Sequence, residues 1–284
     1  MIPIFYSPAY VGTGHSFDTT RKSQWIAEAL QRQAAGRIEL RDPGLLSEEE
    51  IARFHSAEYV RAVRTGQPRR LAESQGFPWD SGVWTMAQAV NAGLVRAALA
   101  ALESGVAGSL SSGIHHARRR EGVLFCTFNG LVLAANAAID AGAESVLILD
   151  TDAHCGGGTH SLICDNERIW QRDLAVNFMD RYEENGRTAL TLIDSADDYL
   201  PALEQHCREL LTCRSICAST TPGWTRTRIA RRVDSRELTR RCCESGNDWC
   251  LTGRGREECL SRLASVADTS AGDWSRRNWW SCTC

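Results

Sequence analysis

The sequence of 284 residues has a single lysine, Lys22, against 35 acidic residues, and its formal net charge is −3. With no basic surplus there is no electrostatic reason to expect nucleic acid or a membrane surface as partner. No apolar run approaches the roughly 18 residues that a transmembrane helix needs, and the start, MIPIFYSPAY, lacks the basic and long apolar segments of a signal peptide. The expectation is a soluble, cytoplasmic protein. No internal repeat or low-complexity linker breaks the first 212 residues. A 43% hydrophobic content excludes global disorder, collagen and coiled coil, and suffices for one large domain or two small ones.

Cysteine is abundant, with 12 residues unevenly placed. Cys126, Cys155, Cys164 and Cys207 lie in the first 212 residues, and Cys213, Cys217, Cys242, Cys243, Cys250, Cys259, Cys282 and Cys284 lie in the last 72. That tail also has five of nine Trp and 13 Arg, only eight Val, Ile or Leu, and no Phe, Tyr or Met. The two compositions divide the chain into 1–211 and 212–284.

Apolar spacing predicts an amphipathic helix from Arg21 to about Ala35. A second helix is predicted from Ser47, with Glu50 completing a capping box, through Ile51, Phe54, Tyr59 and Val63. Val83–Glu103, stopped by Gly105, and Gly130–Ala141 read as further helices, and Ser145–Asp150 and Leu174–Phe178 as strands. Helix, strand, polar loop and strand at this spacing argue for an α/β domain with a largely parallel sheet. Ligands bind beyond the carboxyl ends of such strands, which points to the loop after Leu149.

That loop reads Asp150-Thr151-Asp152-Ala153-His154-Cys155-Gly156-Gly157-Gly158-Thr159. In an extended segment, alternation puts Asp150, Asp152 and His154 on one side, and the glycines let the backbone turn closely. Carboxylate oxygen and imidazole nitrogen suit zinc; the alternative is that Asp150 caps the next turn and His154 is an ordinary loop histidine. A tandem pair, His115-His116, stands in the Gly/Ser-flanked segment Ser111–Ala117, followed by Leu124-Phe125-Cys126-Thr127-Phe128-Asn129. Amide hydrolysis needs one group to take a proton from water and one to deliver it to the leaving amine, which a histidine pair can do. A surface pair without a role is the alternative.

H-H-A, then F-C-x-F-N, a helix, and a strand ending in D-x-D-x-H-x-G-x-G-T, with FHSAEYVRAV at Phe54–Val63, together resemble the histone deacetylase superfamily over roughly residues 3–211. The resemblance implies a three-layer arginase/deacetylase-like α/β fold with a mainly parallel sheet. It implies Zn2+ on Asp152 and His154, His115 oriented by Asp150, and His116 as general base and then acid. Phe125, with Leu124 before it, would line a tunnel for an acylated lysine or polyamine chain. Some members of the family also bind K+ near this strand. Gly157 stands where the family usually has an Asp or Asn paired with the second histidine, Cys155 replaces a second His, and Leu124 replaces a Gly, narrowing the tunnel. The family's third ligand, a downstream Asp, and its late oxyanion tyrosine are missing from the chain as written. A manganese hydrolase of the arginase type shares the fold but normally presents more carboxylates and histidines around two metals.

The tail reads as an out-of-frame translation. Shifted by one base, codons for Thr220–Thr227 can spell Y-N-A-G-M-D-P-H, which contains the third-ligand Asp. In the same frame Arg232–Leu238 permits G-G-L-P-G-I, Val266–Thr269 permits G-G-Y, and Asn278–Thr283 permits L-V-x-L-H. The expectation is a single-base insertion or deletion near codons 209–214, a poorly ordered tail, and loss of the C-terminal part of the fold. A genuine cysteine-rich module is the alternative, but no C-x2-C pair with standard zinc spacing exists. The function expected of the chain is that of a zinc-dependent deacetylase acting on an acetylated amine, with a catalytically dead or acyl-binding remnant as the rival. The residues are silent on oligomeric state.

Overall fold

A computed structural model describes residues 1–13, 18–34, 36–209 and 215–220. The chain begins with β1 (Ile2–Phe5), a short 3-10 turn, α1 (Asp18–Gln33) and β2 (Ile38–Arg41). Next come α2 (Glu48–Ala52), α3 (Ala57–Thr65), α4 (Arg69–Ala72), α5 (Gly82–Ser104) and β3 (Gly108–Ser109). The second half holds α6 (Gly130–Asp140), β4 (Ser145–Asp150), α7 (Gly157–Ile163), β5 (Ile169–Ala175), β6 (Thr188–Leu192), α8 (Ala196–Glu209) and β7 (Ser215–Thr220). The strands pair in the orders β2-β1-β3 and β6-β5-β4-β7, and every one of these pairs is parallel. The predicted α/β class with a mainly parallel sheet is what the structure shows.

The apolar run of β4 is buried from Val146 to Asp150, as expected of a strand covered on both faces. On one side α6 presents Leu131, Val132, Ala135 and Ala138 to Val146, Ile148, Ile163 and Ile169. Its other face sends Leu133 and Ala134 into a core built from α3 and α5, with Tyr59, Val60, Val63, Ala92, Val95 and Phe128. Each fully buried Val, Ile or Phe contributes roughly 1.5–3 kcal/mol, so α6 is the element that joins these two cores. Among the described residues, α5 is long and apolar enough, by length and composition, to cross a membrane, although no such run was expected. Its buried residues pack against α3 and α6, which makes it the central helix of this fold.

Two sequence expectations need correction. The helix predicted from Ser47 through Val63 is two helices. Ser47 and Glu50 form the capping box of α2, but α2 stops at Ala52 because the chain is drawn inward at His55. The His55 Nδ1–H donates to Arg118 O at 2.9 Å, the Ser56 N–H donates to Arg119 O at 2.7 Å, and Ser56 caps a new helix, α3. The strand predicted at Leu174–Phe178 is β5, and it ends at Ala175. Beyond it the N–H groups of Val176 and Asn177 both donate to Ala153 O, at 3.0 and 2.9 Å, which folds the chain onto the loop after β4.

Of the segment 212–284, the described part is β7, which runs beside β4 with Thr220 opposite Asp150. The tail cysteines other than Cys217 and the out-of-frame segments beyond Thr220 lie outside the described residues.

Candidate functional site

The site lies at the carboxyl end of β4, where a parallel sheet delivers its loops. Asp150 is the last residue of the strand. The segment after it is not extended, as the alternation argument assumed, but two consecutive side-chain turns. The Asp152 N–H donates to Asp150 Oδ1 and the His154 N–H donates to Asp152 Oδ1, each at 3.0 Å. These turns bring Asp150, Asp152 and His154 to one place by local hydrogen bonding.

The histidine pair is carried against the start of α7. The Thr159 N–H donates to His115 O at 2.8 Å. The Asn129 amide, at the N-cap of α6, donates to His115 O and Ala117 O at 3.2 and 3.3 Å. The Asn129 N–H in turn donates to His55 Nε2 at 3.0 Å. Gly158 has no room for a side chain, because a Cβ there would press into the His115 and His116 backbone.

Both imidazoles are buried and each has its own carboxylate. The His115 Nδ1–H donates to Asp150 Oδ2 at 2.5 Å, and the His116 Nδ1–H donates to Asp180 Oδ2 at 2.8 Å. The two Nε2 atoms face each other at 3.0 Å. If both rings were neutral, two lone pairs would oppose at that distance; a proton on His115 Nε2 resolves the conflict. Burial pulls the His115 pKa down, but the charge and hydrogen bond of Asp150, with Asp152 and Asp173, outweigh it and push it up to about 9. Burial lowers the pKa of His116, and the charge of His115 adds to this against the opposing pull of Asp180. The two shifts are opposite in direction, and both place the proton between the Nε2 atoms on His115.

Gly157 supplies no partner for the second histidine; Asp180 does, from the loop between β5 and β6. Sequence reading missed Asp180 because it lies outside the D-x-D-x-H run, in a loop with no periodic signal. Its one legible mark is a position just past the carboxyl end of a parallel strand. Asp173, in β5, was missed too. It is buried, accepts from the Gly156 N–H at 2.7 Å and from the Gln171 amide, and burial together with the charge of Asp150 raises its pKa.

Asp152 and His154 are half-buried, with side chains 20% and 30% exposed, and the His154 ring centroid lies 5.7 Å from that of His116. His154 Nδ1 and Asp152 Oδ1 converge to 3.1 Å. Two ligands about 2.0–2.1 Å from a tetrahedral zinc lie about 3.3 Å apart, so this donor set and spacing fit two corners of such a site. Among the described residues, no group of three or more His, Cys, Asp or Glu is arranged to hold a metal ion. Burial pushes the thiols of Cys126 and Cys155 up to about 12, so neither offers a thiolate.

Leu124 and Phe125 both adopt left-handed backbone, with φ of 47° and 66°. At Leu124, where a glycine would be at ease, this is a strained position for a branched side chain. It leaves Phe125 56% exposed, leaning on Phe77 at a centroid distance of 4.9 Å, next to Cys126, whose thiol lies against the His116 backbone.

The chain is 28% identical over 219 residues to an uncharacterized protein of Picosynechococcus, covering 74% of this chain and 73% of that one. It is 26% identical over 186 residues to histone deacetylase 6 of Arabidopsis thaliana and 25% identical over 172 residues to histone deacetylase 1 of Homo sapiens. Those matches take in 59% and 56% of this chain but only 39% and 36% of the two relatives. Among solved structures, the HD domain of HDA15 aligns with a TM-score of 0.68 at 18% identity, over 94% of this chain and 89% of that one. The acetylpolyamine aminohydrolase of Burkholderia pseudomallei aligns with a TM-score of 0.61 at 17% identity, over 74% and 78%. These likenesses show the arginase/deacetylase fold. The histone deacetylase domain profile matches residues 15–185, more than half of the sequence, and the chain belongs to the histone deacetylase family.

Proposed function

We propose that this domain is the machinery of a zinc-dependent deacetylase that hydrolyses the N-acetyl amide of an acetyl-lysine or acetylpolyamine-like amine. The observation that carries the reading is the histidine pair. Two imidazoles have their Nδ1–H groups committed to separate carboxylates and their Nε2 atoms 3.0 Å apart, beside Asp152 and His154. Asp152 and His154 are the residues that would hold zinc, which when bound polarises an acyl oxygen and acidifies water to a pKa of about 7. His116, neutral with its Nε2 unprotonated, takes a proton from water and returns it from Nε2 to the leaving amine. His115, oriented by Asp150 through its Nδ1–H, lies beside it with its Nε2 turned toward His116. Phe125 and Leu124 border the approach of the extended chain that bears the acyl group.

The chain as written is short of this machinery by one ligand and one oxyanion donor. We attribute the shortage to a shift of reading frame near codons 209–214. In support, β7 ends at Thr220 opposite Asp150, and in the shifted frame the next residues include the missing Asp. A second reading, an acyl-binding protein without catalysis, is favoured by the absence of a three-ligand group among the described residues.

The test compares this chain with one read a base out of frame after residue 211. Bound zinc is measured after chelation and back-titration, and turnover is measured on acetyl-lysine peptide and N-acetylpolyamine. The shifted chain is expected to hold one zinc and turn over substrate, and the chain as written to do little of either. Ordinary turnover by the chain as written would sink the frame argument. Binding of acetylated amine without turnover in the shifted chain would establish the second reading.

A further inference from the structure

Asp180 has a left-handed backbone, with φ of 61°, and a side chain only 3% exposed. Its Oδ2 accepts from the His116 Nδ1–H at 2.8 Å and from the Gly158 N–H at 3.0 Å, while the Arg118 guanidinium donates to its Oδ1. The space it fills is left by Gly157. A Cβ at residue 157 would press into the Asp180 backbone O and lie 2.6 Å from Asp180 Oδ1 and 2.8 Å from its Cγ, closer than real side chains approach. A side chain at 157 and this placement of Asp180, backbone and carboxylate together, exclude each other.

We infer that Asp180 is the positioning residue for His116, delivered from the β5–β6 loop into the space Gly157 leaves empty and clamped on its other oxygen by Arg118. A carboxylate facing Nδ1–H fixes the tautomer and leaves Nε2 as the basic atom. Arg118 is well placed as the clamp. It lies two residues beyond His116, its carbonyl is tied to His55, and its side chain, 38% exposed, reaches Asp180 from the solvent side. The value of this arrangement to catalysis rests on the proton-carrying role proposed for His116; the arrangement itself does not.

The test is therefore a spectroscopic one, made on the full chain without added metal or substrate. Long-range 1H–15N spectra report which ring nitrogen of His116 carries the proton, with assignment from a His116→Phe variant. The Nδ1–H form is expected in the parent chain. It should be lost in Asp180→Ala and in Gly157→Ala, where the new methyl displaces the Asp180 backbone and with it the carboxylate. It should be retained in Asp180→Asn, whose amide oxygen still faces the His116 and Gly158 N–H groups. The His115 Nδ1–H signal, held by Asp150, is the internal check that each variant is folded. A folded Asp180→Ala or Gly157→Ala protein that keeps His116 in the Nδ1–H form overturns the assignment, and Asp180→Asn keeps the idea testable where the alanine variants do not fold. None of these readouts depends on turnover, so failure of the deacetylase reading would leave them unchanged.

Discussion

His55 has no direct contact with the paired imidazoles, yet it holds the loop that carries them. Its Nδ1–H donates to Arg118 O and its Nε2 accepts from the Asn129 N–H, which requires a neutral ring. Burial lowers its pKa from 6.5 to about 4. Between those values the unfolded chain binds a proton that the folded chain refuses, so stability rises with pH and is lost as pH falls from 6.5 towards 4. The loss is on the order of 3 kcal/mol. Urea unfolding at pH 7.5 and 4.5 checks this: His55→Gln should flatten the pH slope, and an unchanged slope would refute the account. At this scale the sequence was legible where chemistry is compressed into short runs, as in His115-His116 and Asp150-x-Asp152-x-His154. It was illegible where a partner comes from another loop, as with Asp180. Gly157 looked like the loss of a carboxylate, when it is the vacancy that admits one.

Helices and strands followed from apolar spacing where packing and propensity agree. Ser145–Asp150 is β4 as predicted, and Gly130–Ala141 is α6 to within a residue. Spacing misled where longer-range hydrogen bonds take control of the backbone: the buried His55 side chain interrupts one predicted helix, and the bonds of the Val176 and Asn177 N–H groups to Ala153 O end β5 early. Close packing between elements can be probed at Gly93 in α5. A Cβ there would fall on the Tyr10 hydroxyl and lie 2.9 Å from its Cζ, where Tyr10 bonds to Ser109 at 3.0 Å. Gly93→Ala gains helix propensity of about 1 kcal/mol yet should cost a net 1–3 kcal/mol, roughly the penalty of overpacking. Chemical denaturation measures it, and a stabilised variant would show that α5 and the turn after β1 have slack between them.

At the scale of the whole molecule, the fold class was readable from residues 1–211, while β7, at Ser215–Thr220, adds a strand to the sheet from the segment whose composition sets it apart. Metal should report the difference. A ligand present at 100 times its Kd stabilises the folded state by about 2.7 kcal/mol. Zinc is thus expected to raise the melting temperature of the frame-shifted chain by several degrees, and that of the chain as written much less. Equal shifts would mean that the missing ligand is immaterial.

The Asn129 clamp has a consequence for how the molecule breathes. Because the carbonyls of His115, Ala117 and Arg118 are tied through Asn129 and His55 to the start of α6 and to the residue before the N-cap of α3, the histidine loop is not expected to lift as a flap. It opens only with the core those helices share. Amide hydrogen exchange at Arg118, whose N–H donates to Glu121 O at 3.0 Å, should keep pace with the slow amides of α6 rather than with surface loops. Exchange at loop rates would show the clamp to be open much of the time.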